Sequence, residues 1–354
     1  MVNVRNIFFH QSSNILINLI SDTVTIPTEG MLKAMMSANV GDDVFNEDTS
    51  VNALQRKLAD MFGMEAGLFC PSGTMTNQIA IKTHTNPMDE LICDKLSHVY
   101  KYENGGYAYN SGIGIKLIDG SYGKINPEQI RASVNPNYDW LTNSKLVVIE
   151  NSCNTGGGTY YEFKEMEAIH DCCKELGLTL HLDGARLFNV LAETKDDPKQ
   201  IGSIFDSISI CLSKGLGAPV GSVLLGNKNF IARARKFRKA MGGGMRQAGY
   251  LAAACSYALD NHVDRLKLDN DRAKLLGATL QECSYVESVL PVMTNIVIFN
   301  LTQSLTATDF VETLKTKGII ASAFGPQKVR FVTHLNIDDK MIDETQQILK
   351  DLSE

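Results

Sequence analysis

Three short apolar runs end in polar side chains and are spaced widely enough for a helix to return between them: KLVVIE at 145–150, LTLHLD at 178–183 and SISICLS at 207–213. An apolar run of this length without strict alternation suits a strand buried on both faces, and such strands belong to parallel sheets covered by helices. Residues 163–176 carry helical spacing between the first two runs. The same grammar recurs earlier, where 66–70 reads as a strand, Pro71-Ser72-Gly73 breaks it, 74–83 reads as a helix, and Leu91-Ile92-Cys93 starts another unit. The pattern predicts an α/β fold with a mostly parallel sheet. Ligands of open parallel sheets collect at the carboxyl ends of the strands.

Beyond about residue 262 the grammar changes to a charged helix over 264–281, a strand at 295–301, a further helix, and a strand around 329–332. This predicts a large domain over 29–262 and a smaller α+β domain formed by 1–28 with 263–354. No repeat or low-complexity tract interrupts the 354 residues, and 44 % hydrophobic with 21 % charged content excludes disorder as the main state. A net charge of −6 gives nucleic acid no electrostatic footing. The eight cysteines form no CxxC pair, so neither a zinc centre nor a disulfide framework is expected, and reduced buried thiols in a cytoplasmic protein are. Residues 1–21 hold one Arg and no acid, a faint echo of a transit peptide without its Arg and Ser richness. No apolar run reaches the roughly 20 residues that span a bilayer.

Several residues carry candidate chemistry, each with an ordinary alternative. Lys214 follows an apolar strand and precedes three glycines and a proline; close packing there would desolvate the amine into a nucleophile, whereas the plain reading is a solvated turn lysine. Asp183 ends a buried strand and needs a cation, either a protonated pyridine nitrogen or a neighbour such as Arg186. Ser72, Gly73 and Thr74 form a strand–turn–helix junction whose free N–H groups and hydroxyls can hold an anion or simply cap the helix. His98 could stack on a planar ring, move protons, or be structural. Arg186 and Arg330 could each clamp an α-carboxylate, and Arg246, beside three glycines, a phosphate. Their order along the chain is that of a pyridoxal-phosphate site.

With those residues placed, the chain resembles the low-specificity L-threonine aldolase family of fold type I pyridoxal-phosphate enzymes, from about residue 18 to 336. The most specific stretches are SDTVT at 21–25, GDDV at 41–44, PSGTMTN at 71–77, HLDGAR at 181–186, LSKGLGAPVG at 212–221, GGGMRQAG at 242–249 and RFVTHL at 330–335. The resemblance implies that Lys214 is the Schiff-base lysine and that Asp183 pairs with the pyridine nitrogen. It implies that Gly73, Thr74 and Arg246 bind phosphate, Arg246 reaching in from a neighbouring subunit, and that His98 stacks on the ring. Ser21, Arg186 and Arg330 would hold the substrate carboxylate, and a homo-oligomer, a dimer of dimers, would complete the sites. The implied reaction cleaves threonine or allo-threonine to glycine and acetaldehyde.

The chain departs from the family pattern at three places. Cys153 stands where many relatives have histidine, Ile20 replaces the usual arginine before Ser21, and Phe45-Asn46 replaces Tyr-Gly. Cys153, with a reference pKa near ~8.5, cannot simply replace imidazole, which leaves His98, directly or through water, as the first choice of base. The same scaffold could support β-elimination or racemisation, and a non-catalytic coenzyme-binding regulator is the rival of another class.

Overall fold

The run at 145–150 does lie in a strand, Asn143–Glu150, and Val147, Val148 and Ile149 are each no more than 1 % exposed, covered on both faces. In the computed structural model, which describes residues 16–353, it sits inside a seven-stranded sheet. From edge to edge the strands are Ala66–Cys70, Ser222–Gly226, Ser207–Cys211, Thr179–Gly184, Asn143–Glu150, Asp89–Asp94 and Gly114–Ile118. Neighbours from Ser207–Cys211 onward are parallel, while Ser222–Gly226 runs antiparallel to both of its neighbours.

Sequence pattern alone did not reveal the Ser222–Gly226 strand. Its cause is the loop before it: parallel return needs a crossover of a dozen or more residues, and residues 212–221 contain no helix, closing instead with Leu212 N–H donating to Gly221 O at 3.0 Å. The chain must therefore come back antiparallel. Ala66–Cys70, which reads as the start of a parallel unit, is consequently an antiparallel edge strand.

The predicted helix at 163–176 is Phe163–Leu176, and the one at 74–83 is Gly73–His84. A second sheet, Ser322–Ala323, Lys328–Val332, Ile296–Leu301 and Val286–Val289, is antiparallel and carries its own apolar core, in which Phe299 packs edge-on against Phe331 (5.2 Å between ring centres) and Phe310 (6.0 Å). Ile17 and Leu19 join that core from the other end of the chain. All eight cysteines are buried and free. No described helix is long and apolar enough to cross a membrane. Most of the stretch with a transit-peptide echo, residues 1–15, lies outside the described residues.

Helix Thr49–Phe62 buries Val51, Leu54, Leu58 and Phe62, one stripe at helical spacing. Its N-cap is Asp48, fully buried, whose carboxylate accepts from Val51 N at 3.0 Å, from Gly41 N at 3.3 Å and from Gly249 N at 2.9 Å. One side chain thus caps one helix and ties it to the start of Gly249–Asn261. Replacing it strands three amide donors, so Asp48→Ala is expected to lower unfolding free energy by about 2–4 kcal/mol; a loss under ~1 kcal/mol in urea titration would show that water takes over the cap.

His181 lies in Thr179–Gly184 with no exposed surface, and burial pulls its pKa from 6.5 down to about 4. Because the folded value is below the unfolded one, the unfolded chain binds the extra proton first. The stability this group permits is therefore complete above pH ~6.5 and is lost as pH falls toward the folded value, about 3 kcal/mol in all. Urea unfolding across that window should show the decline, and His181→Gln should flatten it; an unchanged slope in that variant would count against a neutral buried imidazole.

Candidate active site

The parallel register sets Glu150 beside Asp183, both at the carboxyl ends of their strands, and Asp183 beside Ser209 in the middle of the next. Alternation along Thr179–Gly184 puts His181 and Asp183 on the same face. Helix Gly73–His84 crosses that face with its N-terminus at the strand ends, and Asn77 points into the gap. Asp183 is 3 % exposed. Its Oδ2 accepts from Asn77 Nδ2 at 2.8 Å and its Oδ1 from Ala185 N at 3.1 Å.

The alternative reading of Asp183, a salt bridge to Arg186, is not what forms. Arg186 gives Nε and Nη2 to Asp22, at 2.7 and 2.8 Å, in a bidentate pair buried on both sides. Burial opposes charge on Asp22, yet the guanidinium wins and holds its carboxyl well below the usual carboxylate range. Asp183 is left facing a cleft.

That cleft is lined by Ser72, Gly73, Thr74, Asn77, His98, Asp183 and Lys214, together with Thr23, Ala185, Cys211 and Ser213. Six of these eleven, Ser72, Gly73, Thr74, His98, Asp183 and Lys214, are residues that the sequence singled out as candidates. Lys214 arrives three residues beyond strand Ser207–Cys211, where Gly217, at φ +79, closes a turn by donating N–H to Lys214 O at 2.8 Å. Ser72 caps helix Gly73–His84 by accepting from Met75 N at 3.2 Å. A side chain at Gly73 would find only Ser222 Oγ, at 3.7 Å, and Cys211 Cβ, at 4.0 Å, and Ser222 Oγ is itself buried without a hydrogen-bond partner among the described residues. The junction is an open anion cradle at the positive end of a three-turn helix.

His98 is anchored from both ends. Its N–H donates to Glu150 Oε2 at 3.0 Å, and its Nδ1 lies 2.9 Å from Glu103 Oε1. Burial disfavours charge on the ring, but the Glu103 bond and the nearby Asp183 and Glu150 charges outweigh it and raise the pKa above that of an ordinary histidine. Burial, then the charge of Asp183, pushes Glu150 upward. One ligand atom each of His98, Glu103 and Asp183 falls within 4.8 Å of the others, a spacing a metal ion could bridge, although hydrogen bonds to one another and through Asn77 already occupy them.

Ser21, Arg186 and Arg330 do not line that cleft, although Thr23 and Ala185, close to the first two in the chain, do; strand Lys328–Val332 turns Phe331 into the second core and Arg330 the opposite way. Arg330 Nη1 donates to Asn154 Oδ1 at 3.0 Å and Nη2 to Ile20 O at 3.1 Å; Arg186 Nη1 reaches the same Asn154 oxygen at 3.5 Å. Two guanidinium groups thus share one neutral acceptor. Burial first, and then the like charge of Arg186, lowers Arg330 to about 10. An arriving carboxylate would relieve both. Ser21 is beside them in the chain, its Oγ accepting from Thr23 N and Thr23 Oγ1. Arg246 stands apart: it is exposed and absent from this chain's own cleft lining, with its carbonyl accepting from Asp43 N at 3.0 Å.

Sequence reading missed Asn77, Glu103, Glu150, Asp22, Thr23 and Asn154 as site residues. Asn77 and Asp22 stood inside quoted motifs without a role, and Glu103 follows His98 by five residues, a spacing with no recognisable periodicity. Cys153, the departure from the family pattern, is 2 % exposed and turns its thiol to Glu150 O at 3.1 Å and Gly123 O at 3.5 Å. Burial pushes that thiol well above its ordinary value. It is no proton acceptor.

The chain is 38 % identical over 330 residues to the low specificity L-threonine aldolase of Escherichia coli (strain K12), covering 93 % of this chain and 97 % of that protein. It is 36 % identical to low-specificity L-threonine aldolase 1 of Arabidopsis thaliana, covering 91 % of this chain and 92 % of that protein. Among solved structures, Leishmania major threonine aldolase superposes with a TM-score of 0.83 at 22 % identity, over 96 % of this chain and 100 % of that one, which speaks to the fold. The β-eliminating lyase model matches residues 18–304, and the chain belongs to that family, alongside the low-specificity L-threonine aldolases.

Proposed function

We propose that this chain is a pyridoxal-phosphate-dependent carbon–carbon lyase that cleaves L-threonine and L-allo-threonine to glycine and acetaldehyde. The observation that carries the reading is the single cleft in which a strand-end lysine, a buried carboxylate without a cation and an open anion cradle face one another. Those groups fit the coenzyme. Lys214 would hold its aldehyde carbon, Asp183 its ring nitrogen, Ser72, Gly73 and Thr74 its phosphate, and His98 a face of its ring. Bound there, pyridoxal phosphate supplies a protonated ring that withdraws electrons from the substrate's α-carbon.

The chain's own residues do the rest. Arg330 and Arg186, helped by Ser21, fix the α-carboxylate and so the orientation of the Cα–Cβ bond. Glu103 occupies His98 Nδ1, which leaves Nε2 as the nitrogen that takes the β-hydroxyl proton, with Glu103 stabilising the charge formed. Asp183 keeps the opposite end of the site negative. Arg246, exposed on this chain, supports a phosphate contact across a subunit boundary, and with it a dimer of dimers. Eight free thiols support a cytoplasmic setting, and glycine supply would be the role.

Steady-state kinetics on the four threonine stereoisomers test the assignment. Both L isomers should yield glycine and acetaldehyde, and Lys214→Ala should lose at least ~1,000-fold in kcat. Pyruvate or D-alanine as the main product would favour β-elimination or racemisation instead, and bound coenzyme with no turnover would favour a regulator.

Because His98 is raised by Glu103, kcat/KM should climb with pH through an apparent pKa above 6.5. In Glu103→Gln that limb should move to lower pH; a limb that stays put would remove His98 from proton transfer.

A further inference from the structure

We propose that His84, Ser207, His181 and Asn77 form a one-way hydrogen-bond chain that positions the side chain of Asp183, so that His181 is a positioning residue for the reaction. The role in catalysis rests on the reading of Asp183 as the partner of the coenzyme's ring nitrogen; the direction of the chain does not.

Direction follows from donor accounting, beginning at the two carboxylates. Asn77 Nδ2 lies 2.8 Å from Asp183 Oδ2 and 2.9 Å from Glu103 Oε1. Ionised carboxylates only accept, so the atom between them must be the amide nitrogen, and the amide's flip is settled. Its oxygen then faces His181 Nε2 at 3.2 Å, and an amide oxygen cannot donate. The proton therefore sits on Nε2. A neutral imidazole has one N–H, which leaves Nδ1 to accept, and the group 2.7 Å away is the Ser207 hydroxyl. Having spent its hydrogen there, Ser207 Oγ must in turn accept from His84 Nε2, also at 2.7 Å.

The fold keeps this chain in register. His181 and Ser207 are directly paired residues of adjacent parallel strands. Asn77 and His84 are seven residues apart on helix Gly73–His84, so two turns bring them to the same face over those strands. Asn77, His181, Ser207 and Asp183 are each no more than 3 % exposed, and His84 is stacked on Phe230 at 4.4 Å between ring centres. The Ser207 carbonyl oxygen also lies 3.1 Å from His181 Nδ1; protons on both ring nitrogens would require the imidazolium. Burial disfavours that form, drawing His181 down to about 4 and His84 to about 3. Each donor polarises the next toward the carboxylate. Nothing else assigned to the site explains why a buried histidine and serine and a half-buried histidine stand in line behind Asp183.

The test reads the protons directly. Nitrogen NMR of histidine-labelled full-length protein at neutral pH, with and without added pyridoxal phosphate, should show His181 with a protonated Nε2 and a bare Nδ1 in both samples. A proton on Nδ1, alone or as an imidazolium, overturns the chain. Coenzyme titration by absorbance adds the functional arm. His181→Leu removes the donor to Asn77 and should weaken pyridoxal phosphate binding about 10-fold, whereas His181→Gln, whose amide can donate in its place, should stay within about 3-fold of wild type. Equal losses in the two variants would reduce His181 to a packing residue. Wild-type protein that binds no pyridoxal phosphate would sink the reading of Asp183 given above, while the imidazole signals still decide the chain's direction.

Discussion

Negative charge buried without a fixed cation governs the centre of this molecule. Asp183, Glu103 and Glu150 converge on His98 at the end of a sheet whose interior is apolar. Isolated buried carboxylates cost several kcal/mol each, so the surroundings are built to offset them. Backbone amides of His98 and Asn154 serve Glu150, the side-chain amides of Asn77 and Gln78 serve Glu103, and Asn77 with Ala185 serves Asp183. What those dipoles leave unneutralised is negative charge facing the cleft.

Positive charge is handled by a parallel device. Asp22 neutralises Arg186 before any ligand arrives, and Asn295 Nδ2 donates to the same Asp22 carboxylate at 3.1 Å. Asn295 also donates to Thr333 O, so one carboxylate fastens the N-terminal segment, the large sheet and the second sheet together. Arg330 has no such carboxylate and is left with Asn154, a backbone carbonyl and the face of Phe324 at 4.7 Å. The two guanidinium groups are therefore unequal: Arg186 is ion-paired, and Arg330 has no carboxylate partner among the described residues.

Much of this could be read from the residues in order. Lys214 and Asp183 announced themselves because an apolar strand that ends in a charge must deliver that charge somewhere, and parallel sheets deliver it to one edge. Helix Gly73–His84 was visible from its break and its cap. The Asp22–Arg186 pair was not, because its members are 164 positions apart and each belongs to a motif with an easier meaning. Glu103 was hidden for the opposite reason: its five-residue offset from His98 spans a short helical turn that no periodicity marks. The antiparallel return at Ser222–Gly226 escaped because a glycine-rich loop and the small strand after it share one composition. Cys153 was noticed as a substitution, but which way its thiol points depends on the carbonyls of Glu150 and Gly123, and no one-dimensional pattern encodes that.

Arg330 donates to a carbonyl 310 residues upstream, and Asn154 waits between them. As the polypeptide leaves the ribosome, Lys214 and Asp183 of the cleft therefore emerge more than a hundred residues before Arg330. A nascent chain holds Lys214 and Asp183 before it holds the side chain that ties Ile20 to the second sheet. The bond that joins the two ends of the chain is the last of these contacts that synthesis makes possible.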